Sequence, residues 1–294
     1  MQSRAHQLRC EGRSIAFVPT MGFLHEGHLS LMRIARERAD ILVASIFVNP
    51  TQFAPGEDFE AYPRDMARDL AQAAAVNVDI VFTPDDKMMY PEGFQTYVNL
   101  ERLGRGLCGL SRPIFFRGVA TVVAKLFNIV QPNIAVFGEK DYQQLMIIRR
   151  MVRDLNFDIK IVAGAIVREA DGLAMSSRNA YLRPEQRPAA LSLFQTLCQS
   201  QALVRGGERA ADAIIAAATR YIESFDQTRI DYIAIVDPES LKDMTIIDRP
   251  ARMALAVKVG STRLIDNGAL GKGSAARDHH QRESRNDAEG DQLP

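Results

Sequence analysis

Of the five histidines in the chain, only His25 and His28 lie in a segment that reads as folded body, since His6 sits in a polar amino terminus and His279 and His280 in a polar carboxyl-terminal stretch. They stand three apart in PTMGFLHEGH, directly after the first β-rich run, SIAFVP, and just before a helical pattern that starts near Leu29. The carboxyl end of a parallel strand, entering a helix N-terminus, is where α/β sheets bind ligands and where backbone N–H groups attract phosphate. Gly22 and Gly27 let that backbone come close to a ligand. A zinc-protease reading fails, because its helix motif needs histidines four apart. For the pair taken alone, two structural histidines capping a loop remain the alternative.

Two further clusters suit phosphate. Gly138, Glu139, Lys140 and Asp141 follow an apolar run and open a helical pattern beginning near Tyr142, so Lys140 can place a positive charge beside phosphates at that helix start. Asp141 either caps the helix or helps position a magnesium–phosphate group. Ser176, Ser177 and Arg178 gather hydroxyl donors and a guanidinium in a loop that contains Gly172; a bare SSR tripeptide would be surface loop. By contrast, Gly104, Gly106 and Gly109 spell GxGxxG with no clear strand before them, Pro113 soon after and no acidic residue about 20 positions on, so they read as a flexible loop rather than a dinucleotide site.

The elements that must hold these groups are legible as apolar runs. Strands are expected over 14–19, 41–48, 78–83, 133–137 and 158–163. Between them lie stripes of helical period, Val119, Val122, Val123, Leu126, Phe127 and Val130, then Leu145, Ile148, Val152 and Leu155. This alternation predicts an α/β fold with a Rossmann-like, doubly wound parallel sheet. Beyond about residue 170, helices over 185–204 and 208–225, broken at Arg205, Gly206 and Gly207, precede strands over 230–236, 251–259 and 262–266, the order of a smaller α+β domain. The expected division is 1–168, 169–268 and a tail of 269–294, which carries only Leu270 and Leu293 as large apolar side chains.

Composition narrows the function classes. With 36 Lys and Arg against 36 Asp and Glu, the formal net charge of zero gives no global attraction to polyanions, so nucleic acid is not expected as a partner. No run reaches the roughly 18 apolar residues of a membrane span, and the amino terminus has no apolar signal core. Cys10, Cys108 and Cys198 are far apart without metal-ligand spacing and read as reduced thiols, which favours a cytoplasmic protein.

A strand-end His-x-Gly-His resembles the signature of the nucleotidyltransferase superfamily. PTMGFLHEGH, SIFVNPTQF, FEAYPRD, FGEKDYQQL, DGLAMSSRN and the late RLIDN, taken in order from about Gly12 to Asn267, resemble one family within it, pantothenate synthetase (pantoate–β-alanine ligase). The resemblance implies ATP-dependent condensation of pantoate with β-alanine through a pantoyl adenylate, with ATP and Mg²⁺ required and a homodimer formed. It implies catalytic roles for His25, His28, Lys140 and Arg178. ATP would also meet Met21, Gly22, Gly138, Glu139 and Asp141 on the strand-end loops, and Val167, Met175, Ser176 and Ser177 on the adenine and phosphate side. Gln52 and Gln144, with Asn49 nearby, would hold pantoate, and Mg²⁺ would be carried by ATP with Asp141 as the candidate carboxylate. Tyr62 and Arg64 are expected to shape their loop. The chain departs from the family pattern at Phe115, where a histidine is customary, at Thr51, at Ala163, Gly164 and Ala165, and in an initial strand that is expected to be missing. Another nucleotidyltransferase that keeps the nucleotide in its product, and a silent nucleotide-binding homologue, are the rival readings.

Overall fold

The computed structural model describes residues 1–271. In chain order the elements are α1 (Gln2–Cys10), β1 (Ile15–Thr20), α2 (Glu26–Arg36), β2 (Ile41–Ile46), α3 (Met66–Ala75), β3 (Ile80–Phe82), α4 (Asp86–Met89), α5 (Cys108–Ser111), α6 (Phe115–Val130), β4 (Ile134–Gly138), α7 (Tyr142–Asp154) and β5 (Lys160–Gly164). They are followed by α8 (Arg187–Arg205), α9 (Ala211–Glu223), β6 (Thr228–Val236), β7 (Ala251–Val259) and β8 (Thr262–Leu270).

The first five strands form one parallel sheet in the order β3-β2-β1-β4-β5. Alternation along β1 sends Ile15 and Phe17 to a core shared with α1, α6 and α7, and Ala16 and Val18 to a core shared with α2 and α3. Both faces are therefore covered, as the apolar runs predicted. The strand order reverses between β1 and β4, so the crevice at their carboxyl ends is a topological switch point. The β1–α2 junction, with His25 at the cap and His28 in the first turn of α2, and the turn carrying Lys140 open at that crevice. Gly164, one of the departures from the family pattern, pairs with Gly138, and a Cβ there would stand 2.2 Å from Leu31 Cδ2, so the small residue lets α2 lie close on the sheet.

The later strands form an antiparallel sheet in the order β6-β7-β8. Met253, Leu255, Val257 and Val259 face α8 and α9 in a core of their own, while Arg252, Ala254 and Lys258 face the first sheet's crevice. Gly207, at φ +105, makes the break between α8 and α9.

Four differences from expectation have local causes. α1 was hidden by its polarity, since only Ala5 and Leu8 are buried from it. α2 begins at Glu26 rather than near Leu29, because His25 caps it. The glycines of the GxGxxG segment do not mark a loose loop. Gln143 Nε2 donates to the carbonyls of Leu103 and Gly106 at 2.8 Å each, and its Oε1 accepts from the Cys108 N–H at 3.1 Å. Finally, β8 runs past the expected end at 266 and past the expected tail boundary at 269, with Leu270 paired to Ala251 and buried in the second core. The part of the expected tail from 272 to 294, with His279 and His280, lies outside the described residues.

Candidate active site

The β1–α2 loop is built around a carboxylate from α3. Asp69, 1% exposed, accepts the backbone N–H groups of Phe23 and Leu24 at 2.7 Å each, one on each oxygen. Gly22 packs against the same carboxylate at φ +81, and a Cβ there would stand 2.9 Å from Asp69 Oδ2. Gly22 thus lets the loop close on the Asp69 carboxylate, next to Met21 of the cavity wall. Asp69 itself had no signal in the sequence beyond being an acidic residue.

His25 and His28 cap α2 reciprocally. His25 Nδ1 accepts the Gly27 N–H at 3.1 Å, and His28 Nδ1 accepts the His25 N–H at 3.3 Å. The capping role is therefore real, and it does not exclude chemistry, because it decides the tautomer. With Nδ1 accepting, each neutral ring carries its proton on Nε2, the nitrogen left to meet a ligand. The rings lie 4.1 Å apart between centroids, and a Cβ on Gly27 would fall 2.8 Å from the His25 ring. Burial, followed by the charge of Lys140, lowers His25 from 6.5 to about 4. His28 is held well below its ordinary value by burial, then by His25 and Lys140.

Lys140 sits in the 3-10 turn Glu139–Asp141 that joins β4 to α7, with its ammonium 3.8 Å from the Asp141 carboxylate. Asp141 makes no side-chain cap bond and is half exposed in the cavity wall, so capping does not consume it. The Glu139 carboxylate lies 3.7 Å from Arg252, a residue of the cavity wall.

Ser176–Arg178 closes the site from the opposite side. Ser176 Oγ accepts the Arg178 N–H, and Ser177 Oγ donates to the Phe23 carbonyl at 3.2 Å, tying this segment to the histidine loop. Arg178 makes a two-pronged pair with Asp58 at 2.9 and 3.0 Å. That partner lies 120 positions away in sequence and nothing in the sequence pointed to it. The intervening loop is held as expected: Arg64 donates to the carbonyls of Phe59, Glu60 and Tyr62, and Tyr62 is buried against Phe53.

At the inner end, Gln52 and Gln144 line the same cavity, and their side-chain amides make no hydrogen bond within the described residues. Asn49 differs. Its Oδ1 accepts from Tyr90 Oη, Thr51 Oγ1 and the Thr51 N–H, and its Nδ2 donates to the Gly118 carbonyl, so this buried amide is used to hold its loop. Phe115, the first residue of α6, lies under the Arg112 guanidinium at 3.9 Å, and Arg112 pairs with both oxygens of Glu57 at 2.6 Å.

Together these groups line one cavity of about 810 Å³ between the two sheets, with Met21, Gly138, Val167 and Met175 among its walls. It offers two neutral Nε2–H donors, Lys140, the donors of Arg178 not bound to Asp58, serine hydroxyls and two free amides. Such an array fits a polyphosphate beside a small polar acid. Among the described residues no group of three or more His, Cys, Asp or Glu could hold a metal ion unaided, and no helix is long and apolar enough to cross a membrane.

Comparison with known proteins agrees in direction. Residues 1–269 match the family model for pantoate-beta-alanine ligase. Pantothenate synthetase of Desulfatibacillum aliphaticivorans is 57% identical over 270 residues, 92% of this chain and 96% of that protein. The one from Geobacter sulfurreducens is 54% identical over 272 residues, 92% and 96% of the two chains. The solved pantothenate synthetase of Thermus thermophilus superposes with a TM-score of 0.85 at 46% identity, covering 90% of this chain and 96% of its own. A pantoate-beta-alanine ligase from Francisella tularensis, complexed with beta-gamma ATP and beta-alanine, gives 0.74 at 33% identity, covering 90% and 94%.

Proposed function

The chain belongs to the pantoate–β-alanine ligase family, whose reaction is the ATP-dependent ligation of pantoate to β-alanine, and we propose that the cavity between its sheets performs that ligation in two steps through a pantoyl adenylate. The observation that carries this reading is the pair of Nε2–H donors locked by mutual capping, facing the same cavity as Lys140 and Arg178.

A carboxylate is a poor acylating agent until its oxygen becomes part of a good leaving group. In the first step a pantoate carboxylate oxygen attacks the α-phosphorus of ATP, the bond to the bridging oxygen breaks, and pyrophosphate leaves. Charge on the phosphoryl oxygens is met by the Nε2–H groups of His25 and His28, by Lys140, and by Ser176, Ser177 and Arg178. Because the imidazoles are neutral, they act as oriented donors, and the fixed positive charge comes from Lys140 and Arg178. In the second step the neutral amine of β-alanine attacks the acyl carbon, loses a proton, and AMP departs, leaving pantothenate. Gln52 and Gln144 hold pantoate through their free amides, with Asn49 shaping the loop behind Gln52. Met21, Val167 and Met175 flank the nucleotide. No covalent enzyme intermediate is required.

Mg²⁺ enters as the partner of ATP. The half-exposed, uncapped Asp141 beside Lys140 fits a carboxylate that meets such an ion, whose contribution when bound is to neutralise phosphate charge. We assign residues 1–168 to nucleotide and pantoate binding and 169–268, extended to Leu270, to the unit that covers the site. A cytoplasmic homodimer accords with family membership. The test is product analysis: ATP, pantoate and β-alanine together yield pantothenate, AMP and pyrophosphate in equal amounts. A product that retains the nucleotide would instead mark a different transferase.

A further inference from the structure

Asp266 and Asn267, at the end of the RLIDN segment, have no part in the chemistry above, yet they are 3% and 4% exposed at the seam between the two sheets. The Asn267 Nδ2 donates to the carbonyls of Glu139 at 3.0 Å and Lys140 at 2.9 Å, so both its N–H groups are spent on the turn that carries the lysine. Its Oδ1 accepts from Arg252, which orients the amide. Asp266 reaches the other way. Its carboxylate takes two bonds from Arg168 at 2.6 and 3.0 Å, and its Oδ1 also accepts the Asn267 N–H at 2.8 Å. Arg168 then donates to the Gly172 carbonyl at 3.0 Å, inside the turn that leads to Met175 and Ser176.

A continuous run of hydrogen bonds thus links the Lys140 carbonyl to Gly172 through two adjacent residues of β8. Its ends are the two loops that must grip one polyphosphate from opposite sides. A lysine ammonium on four methylenes is placed only as well as its backbone is placed, and misplacement of a charge by about 1 Å can cost on the order of a hundredfold in rate. We propose that Asn267, backed by Asp266, is a positioning residue for adenylate formation, holding the Lys140 turn in register with the Ser176–Arg178 segment. This rests on the reading that Lys140 and that segment hold the phosphates.

The discriminating readout is the split between half-reactions. The second step, started from synthetic pantoyl adenylate and β-alanine, releases no pyrophosphate and expels an already activated AMP, so it draws far less on the lysine's register. Asn267→Asp keeps the shape, removes both donors and sets an anion against two carbonyls. It is expected to lower pantoate-dependent pyrophosphate release by about tenfold or more, chiefly in kcat, while the second step stays within about threefold of wild type. Asp266→Asn, which keeps one acceptor for Arg168, is expected to show a smaller loss confined to the same step. Should Asn267→Asp not fold, Asn267→Ala gives the same comparison without the buried charge. Pyrophosphate release near wild type in the folded Asn267 variant overturns the proposal, as does an equal fall in both steps. Lys140→Gln is run beside them: if it releases pyrophosphate normally, the reading of Lys140 itself fails; if it is dead while Asn267→Asp and Asn267→Ala are active, only the positioning claim fails.

Discussion

Both imidazoles at the end of β1 give their Nδ1 atoms to backbone N–H groups, so the same bonds that start α2 point two Nε2–H donors toward the cavity. Cap and proposed chemistry, alternatives while only the spacing HxxH was known, do not compete, because the cap sets the tautomer that the proposed phosphate contact requires. His28→Ala or Lys140→Ala is expected to lower adenylate formation by about a hundredfold or more with the fold retained, since loss of one transition-state contact of this kind costs about 2.7–4 kcal/mol. Rapid-quench measurement of pyrophosphate checks it. The depressed imidazole also has a sign in stability. A ring kept neutral in the folded protein contributes stability that is fully present above 6.5 and is lost as the pH falls from there toward about 4, because the unfolded chain takes up the proton first. Urea midpoints should therefore fall across that window, and less steeply in His25→Asn, which keeps a capping acceptor without a titrating ring. Equal slopes would contradict the assignment. Phe115, where a histidine is customary, stacks on Arg112 rather than carrying a polar contact. Phe115→His is accordingly expected to lower KM for ATP or pantoate, or change little, and to raise kcat by less than about tenfold. A larger gain would mean that the natural chain lacks a catalytic group.

Among the elements, the buried strands were readable to within a few residues because continuous apolar runs need burial on both faces of a parallel sheet. What the sequence could not reveal are the long-range partners that make loops into a site. Asp69 on α3 holds the Phe23 and Leu24 N–H groups, Asp58 holds Arg178, and Asn267 on β8 holds the Lys140 turn. Asp58 and Asp69 are ordinary polar residues in polar stretches until the chain brings them home, and Asn267, though inside RLIDN, carries no sign there of the turn it holds. Gly22 and Glu139, which belong to site motifs, also make structural contacts with Asp69 and Arg252 that the motifs do not announce. Asp69→Ala strands the buried Leu24 N–H and the partly buried Phe23 N–H, each bonded to a charged acceptor worth about 1.5–3 kcal/mol. Both a lower melting temperature and a higher KM for ATP are expected, and calorimetry with steady-state kinetics would show a role confined to stability if KM did not move.

At the scale of the whole molecule, a doubly wound sheet supplies the loops proposed to hold phosphate at its switch point, and an antiparallel sheet closes the cavity with the polar face of β7 and β8. Leu270 is part of that second unit. A chain ended after Gly268 should be less stable than one ended after Gly271 by about 1.5–3 kcal/mol, the worth of one buried leucine. Equal unfolding midpoints would show that the last residues of β8 add nothing. The account as a whole stands on the attack of a pantoate carboxylate oxygen on the α-phosphorus of ATP. With pantoate labelled by ¹⁸O in its carboxylate and β-alanine present, mass spectrometry of the products should find one ¹⁸O in AMP for each pantothenate formed. Unlabelled AMP, or label in pyrophosphate or inorganic phosphate, would contradict it.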